Sequence, residues 1–374
     1  MKNRNINLDV IRVVAFFCVV SLHFLYNCGF YGEIVKGKEM LLICIYRAMF
    51  VICVPMFITL TGYLKNKEII SIKYYKKISN VLITYLICSI IYAFFTKYYL
   101  NQEMSIVIFL KNLFSYKGTD YAWYVDMYVG LFLIIPFLNL IFNNLKSKKE
   151  CQILLMTLFI IIGLNGIFNI YKFDTFEWWK QPSISSKYLQ IVPKWWSSIY
   201  PIFYYFLGAY LSKYHLKIRK YDSVLAIVVI TVLLGVFDYY RSLNCTYIWG
   251  PWNDYSSGII MILTALFFNL LLNIKIKENK VFNNVLKNMS NACFGGYLIS
   301  CMFDKIYYSK LCLLVPNVTD RFIYAPILVF LTFTSSIILS MLINFIYNFI
   351  VNTAKNKYSF KKIVCRANVK KDII

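Results

Sequence analysis

The chain has 374 residues, of which 60% are apolar and 19% aromatic, with a mean hydropathy of +0.60 and a formal net charge of +23. Repeated runs of about 18 or more nearly uncharged residues exclude a water-soluble domain and predict a polytopic membrane protein. Long apolar runs, rather than short alternating ones, favour helices over a barrel, so the expected fold class is all-α.

The lysines and arginines fall in alternate loops and in the tail. That placement orients a membrane protein and argues against nucleic acid as the partner. Eleven cysteines are scattered, mostly within apolar segments, with no paired metal-ligand spacing. They read as small hydrophobes, not as a disulfide framework or a metal site. Walker loops, dinucleotide fingerprints and metalloprotease motifs do not occur, and no tightly bound cofactor is expected.

The first membrane-length segment, from Asn7 to about Tyr26, carries Asp9, Arg12 and His23 in an otherwise apolar run. It is too long for a signal-peptide core and is read as a retained helix. Eleven residues at 100° each bring Arg12 and His23 to nearly the same face, about 16 Å apart along the axis. Asp9 and Arg12, at i and i+3, are spaced to pair. Ionisable groups this deep usually face a protein interior or a water-filled cavity. The plain alternative is a surface anchor and a histidine satisfied by a neighbouring helix. Chemistry is the preferred reading because His23 is one of two histidines in the chain and the one inside a helix.

A second helix is expected from about Leu42 to Leu64, bent at Pro55, with Arg47 near its entry. Arg47 either neutralises an anion on the His23 side or snorkels to the interface. A basic loop from Lys65 to Lys77, with Lys2 and Arg4, marks the cytoplasmic side. Further helices are expected at about Ile78–Phe95, Trp123–Ile141, Cys151–Tyr171 and Ile199–Ser212. Met104–Phe114 is expected as a short surface helix, and Asp126 is a lone carboxylate one turn into its own helix. Trp178, Trp179, Trp195 and Trp196 crowd the loop between residues 172 and 198. They suit either an interfacial loop or stacking on sugar rings. His215 sits in a basic loop and reads as solvated.

The last four helices are expected at about Ser223–Tyr239, Ser256–Asn273, Leu286–Phe303 and Phe322–Phe345. The pair Gly295-Gly296 in the third of these permits close packing or a bend. The total is ten transmembrane helices with both termini cytoplasmic, residues 1–351 forming the membrane part and 352–374 a basic tail suited to anionic lipid head groups.

Read together, Leu8-Asp9-Val10-Ile11-Arg12 with His23, Val54-Pro55-Met56-Phe57, Leu60-Thr61-Gly62-Tyr63-Leu64, Ala122-Trp123-Tyr124-Val125 and Tyr204 to Leu211 resemble the acyltransferase-3 family of integral membrane acyltransferases. The resemblance covers the whole chain. It departs from the family at Tyr121 and Ser300, where many members carry histidine, which points to an unusual acceptor or acyl group. No esterase-like domain follows the membrane part, so that part is expected to complete the transfer alone.

The resemblance implies an acyl-CoA donor, most simply acetyl-CoA, in the cytoplasm. It implies an acceptor hydroxyl on a cell-surface glycan or lipid-linked molecule outside a bacterial cell membrane. His23 is then the base, and Arg12, oriented by Asp9, binds the donor. Arg47, Asp126, Trp123 and Ser300 are secondary candidates for donor or acceptor binding. The rival is a transporter or flippase with the same Arg and His in its pathway and no covalent chemistry. Inverted repeats and paired broken helices, which would favour that rival, do not stand out in the sequence.

Overall fold

A computed structural model describes residues 4–371 other than 184, 186 and 278, with side chains as far as residue 348. Lys2 and the side chains of the basic tail lie outside the described residues. The principal helices are α1 (Ile6–Asn27), α2 (Gly37–Phe50), α3 (Cys53–Lys65), α4 (Ile78–Tyr98), α5 (Ile106–Phe114) and α6 (Trp123–Asn144). They continue with α7 (Lys148–Leu158), α8 (Tyr200–Lys213), α9 (Lys220–Ser242), α10 (Gly258–Leu272), α11 (Lys280–Leu314) and α12 (Ala325–Lys371). Among the described residues there is no strand, only two isolated bridges, Ile34 to Thr246 and Val35 to Leu243.

Six stretches are long and apolar enough to cross a membrane: α1, α2 with α3, residues 72–98 ending in α4, α6, α9, and residues 318–348 entering α12. The protein is thus a helical, multi-pass membrane protein. The other expected segments are helical but miss that standard for separate reasons. A π-helical turn at Phe159–Gly163 follows α7, while α8 and α10 have 14 and 15 residues. Helix α11, expected from Leu286 to Phe303, runs 35 residues and carries Lys287, Asp304, Lys305 and Lys310.

The expected bent second helix is two helices. Proline has no N–H to give the carbonyl one turn earlier, and the chain breaks at Val51 and Ile52, ahead of Pro55. The expected surface helix is α5, capped by Ser105 and with no buried residue.

Helix α1 is the central post, in contact with α2, α3, α10, α11 and α12. Around it, glycines let backbones touch. A Cβ on Gly62 would lie 1.9 Å from the Tyr205 carbonyl oxygen, and one on Gly208 would lie 1.9 Å from that of Thr59. Helices α3 and α8 therefore cross through a reciprocal glycine contact, the close approach that small residues permit between membrane helices. Gly295 meets the Ser340 hydroxyl of α12, where a Cβ would sit 2.5 Å away, and a Cβ on Gly296 would sit 3.3 Å from Phe16 of α1. The paired glycines of α11 thus serve close packing on both neighbours within a continuous helix.

Asparagines tie the helix ends at one pole. Asn7 donates to the carbonyls of Leu271, Leu272 and Ile274, Asn139 donates to those of Lys65 and Glu68, and Asn143 to that of Asn66. These contacts gather the basic loops at a single pole, here called the basic pole. The loops holding residues 28–35, 116–122, 178–183, 187–197 and 241–256 form the far pole.

Gly62→Ala and Gly208→Ala should each cost on the order of 1–3 kcal/mol through backbone overpacking. The measure is thermal stability in detergent by fluorescence-detected size exclusion. Gly130→Ala, whose Cβ would meet nothing within 4 Å, should melt like the wild type.

Candidate active site

Arg12 and His23 bracket one face of α1, as their spacing predicts. Between them lies a cavity of about 320 Å³, lined by Arg12 and Lys65 towards the basic pole and by Val19, Val54, Phe57, Leu60, Tyr124 and Tyr297 further in. The Arg12 guanidinium donates to the Ser290 hydroxyl at 2.8 Å. The expected Asp9–Arg12 pair does not form. Asn5 caps α1, so Arg4 lies outside the helix and folds back to give Asp9 two hydrogen bonds, at 2.5 and 2.7 Å. Asp9 therefore pins the N-terminal segment, and Arg12 keeps donors free for the cavity.

His23 lies at the other end of this face. Its ring stacks on Tyr121, with centroids 3.6 Å apart and planes at 26°. Its Nδ1 is buried and lies 3.8 Å from Asp304 Oδ2, close enough for charge pairing but beyond a hydrogen bond. The side chain is 16% exposed, whereas that of Asp304 is 1% exposed, so solvent reaches the ring atoms other than Nδ1. Tyr121 donates its hydroxyl to the same Asp304 oxygen at 2.6 Å and accepts from the Asn27 amide at 3.0 Å. The Tyr297 hydroxyl donates to the Tyr121 carbonyl. The Tyr121–Tyr297 pair is thus the wall between the cavity and His23.

Asp304 was not legible as a site residue because the apolar run of its helix ends at Phe303. It sits seven residues past Tyr297 and four past Ser300, on the face turned to α1, and that spacing is the signal that finds it. Tyr121, which the sequence offers as an interfacial aromatic and as a departure from a family pattern, is a direct partner of both His23 and Asp304.

The secondary candidates go elsewhere. Ser300 is buried and donates to the Tyr297 carbonyl at 2.9 Å, one turn back in its own helix. Trp123 is 43% exposed and stacks on Tyr255, and Asp126 is exposed beside it in a far-pole cleft that His23 does not line. Arg47 is 2% exposed and does not snorkel. Its Nη1 lies 3.7 Å from Asp238 Oδ2, it donates to the Asn253 carbonyl and the Tyr31 hydroxyl, and Tyr247 and Trp249 lie under its guanidinium. Asp238 is itself held by the Trp252 indole N–H and the Asn253 amide, each at 2.8 Å. Arg47 is thereby a clasp between α2, α9 and the far-pole loops. Trp178 is likewise buried, under Arg241, whereas Trp195 and Trp196 are exposed.

This face of α1 thus holds a histidine with a carboxylate 3.8 Å behind it and, further along, an arginine at a cavity. A family model described as an acyltransferase domain matches residues 5–341, nearly the whole chain. The chain belongs to the acyltransferase-3 family. It is 22% identical over 304 residues, 80% of this chain and 81% of the relative, to a Staphylococcus epidermidis protein described as "Probable poly-beta-1,6-N-acetyl-D-glucosamine export protein". The counterpart from a named strain of that species matches equally. No solved structure matches the chain.

Removing one partner of a buried ion pair costs about 3–5 kcal/mol. Arg47→Met should therefore lower the melting temperature and membrane yield sharply, and Arg47→Met combined with Asp238→Leu should recover much of the loss. An Arg47→Met protein that melts like the wild type would return Arg47 to the list of ligand-binding candidates.

Proposed function

We propose that the protein transfers an acyl group, acetyl first among them, from cytoplasmic acyl-CoA to a hydroxyl of a cell-surface glycan or lipid-linked acceptor across a bacterial cell membrane. Ten helical passes with both termini in the cytoplasm put the basic pole inside, in keeping with the positive loops. The observation that carries the reading is that Arg12 lines a cavity on one face of α1 while His23 stands further along that face, behind the Tyr121–Tyr297 wall. A separation of about 16 Å along the helix lets a donor phosphate held near Arg12 and a thioester presented towards His23 belong to one extended molecule.

In this reading His23, through the nitrogen turned away from Asp304, takes the proton of the acceptor hydroxyl. The oxygen attacks the thioester carbonyl, the new C–O bond forms, and the C–S bond breaks. The imidazolium returns its proton to the departing thiolate, so free CoA leaves and the base is regenerated. Asp304, 3.8 Å from Nδ1, favours the imidazolium by charge and holds the ring in one orientation with Tyr121. Lys65 and the inner loops add attraction for the anionic donor. A polysaccharide acceptor is supported by the described substrate of the staphylococcal relative.

That relative's description as an export protein also supports a second reading, in which the same helices move a glycan without changing it. Mass separates the two. Envelope glycans and lipids from cells with the gene intact, deleted, or encoding His23→Ala should differ by one acyl unit, present only with the intact gene. Identical covalent structures in all three would favour export. In a purified assay, Asp304→Asn should lower turnover about 10²-fold, within the usual range for general-base assistance. Arg12→Lys should mainly raise KM for acyl-CoA, since a point charge replaces a fork of donors. Full transfer by His23→Ala would remove the proposed base.

A further inference from the structure

The far pole holds a cleft of about 490 Å³ that the transfer chemistry leaves unused. It lies within the ~300–1,000 Å³ typical of small-molecule sites. Among its walls are Asn165, Asn169, Tyr188, Lys194, Trp249 and Asp254, contributed by the segment after α7, the loop before α8 and the loop before α10. We propose that this cleft binds a stretch of a neutral polysaccharide chain, displaced by several sugars from the hydroxyl being acylated, so that the protein recognises its acceptor as a chain and not as a single sugar. The proposal rests on the glycan reading above and adds to it the site and the length of what is bound.

The lining has the chemistry of a hydroxyl-rich, uncharged ligand. A carboxylate, an ammonium, a phenol and an indole offer both donors and acceptors beside flat aromatic surface, on walls braced by Asn165 and Asn169. Lys194 and Asp254 offset one another, which makes the cleft locally neutral in a chain of net charge +23 and disfavours phosphate or carboxylate ligands.

The walls are also fixed in advance. Asn169 accepts from the amides of Ile191 and Val192, at 2.7 and 2.9 Å, and donates to the Val192 carbonyl at 2.7 Å. Asn165 donates to Ser197 at 2.9 Å. Trp249 stacks on Tyr31 with centroids 4.8 Å apart and lies against the Arg47 guanidinium at 4.7 Å, yet remains 59% exposed. A large aromatic side chain that is both immobilised and uncovered is a platform for a ring.

The position sets the length. Tyr255, between the cleft residues Asp254 and Ser256, stacks on Trp123 at 6.3 Å, and Trp123 lies two residues past the Tyr121 that stacks on His23. Neither His23 nor Tyr121 lines the cleft, so the sugar held there is not the one presented to His23.

The test uses the full-length protein in detergent with three neutral hexasaccharides, of β-1,6-N-acetylglucosamine, β-1,4-N-acetylglucosamine and β-1,4-glucose, and the matching monosaccharides. Calorimetry should give binding of at least one hexasaccharide and none of its monosaccharide. Asp254→Asn and Trp249→Phe, each verified by its melting temperature, should weaken that binding at least about tenfold, as loss of one stacked or charge-assisted contact would. With acetyl-CoA present, the same variants should lose on KM for the hexasaccharide and not on kcat. His23→Ala should bind like the wild type. Failure of every hexasaccharide to bind, equal binding of the monosaccharide, or undiminished binding by both cleft variants would overturn the proposal. Binding that follows the cleft variants without any transfer by the wild type would keep the cleft and sink the transferase reading instead.

Discussion

A carboxylate in the membrane-embedded part of a protein has to be answered where it stands, because the surrounding hydrocarbon supplies neither water nor counterion. Two such groups, Asp238 and Asp304, organise the far half of this molecule. Asp238 draws Arg47, Trp252 and Asn253 together and so joins two helices to the loop that follows them. Asp304 draws Tyr121 and His23 and joins α11 to α1. The first cluster is a fixed ion pair, Arg47 with Asp238, buried among aromatic rings, and is structural. The second pairs a carboxylate with a titratable imidazole instead of a permanently charged guanidinium, and a partner that can gain and lose a proton is what chemistry can use.

The basic pole solves a different problem by different means. Its helix ends are short of partners for their last carbonyls, and asparagine amides from neighbouring helices supply them. An amide costs less to hold near the interface than a charge, which leaves the lysines free to sit outside. The same economy explains Asp9, whose pairing with Arg4 fastens the chain just ahead of α1 and leaves Arg12 to the cavity.

Much of the architecture was legible in the sequence. Apolar runs located the helices, and the face shared by Arg12 and His23 follows from helical geometry alone. At Pro55 the sequence predicts a bend and not a break, because it reveals the missing N–H but not whether the flanking turns re-form. Asp304 was missed because a hydropathy boundary is not a helix boundary: α11 continues eleven residues past Phe303, to Leu314. The competition for Asp9 was invisible as well, since local spacing favours Arg12 and only the capped start of α1 brings Arg4 within reach. Arg47 had two stated fates, and its partner Asp238 lies 191 positions along the chain, beyond any rule of local spacing.

The wall formed by Tyr121 and Tyr297 has a consequence for the membrane itself. A protein that lets a donor approach from one face and an acceptor from the other risks becoming a leak for protons and ions. Here the cavity stops at a phenol whose hydroxyl is engaged by the Tyr121 carbonyl, and the histidine lies behind it. For the transfer proposed above, only the acyl carbon and its substituents need pass that point. The electrochemical gradient can then be maintained while a chemical group crosses it, which makes the aromatic pair an insulator as much as a scaffold.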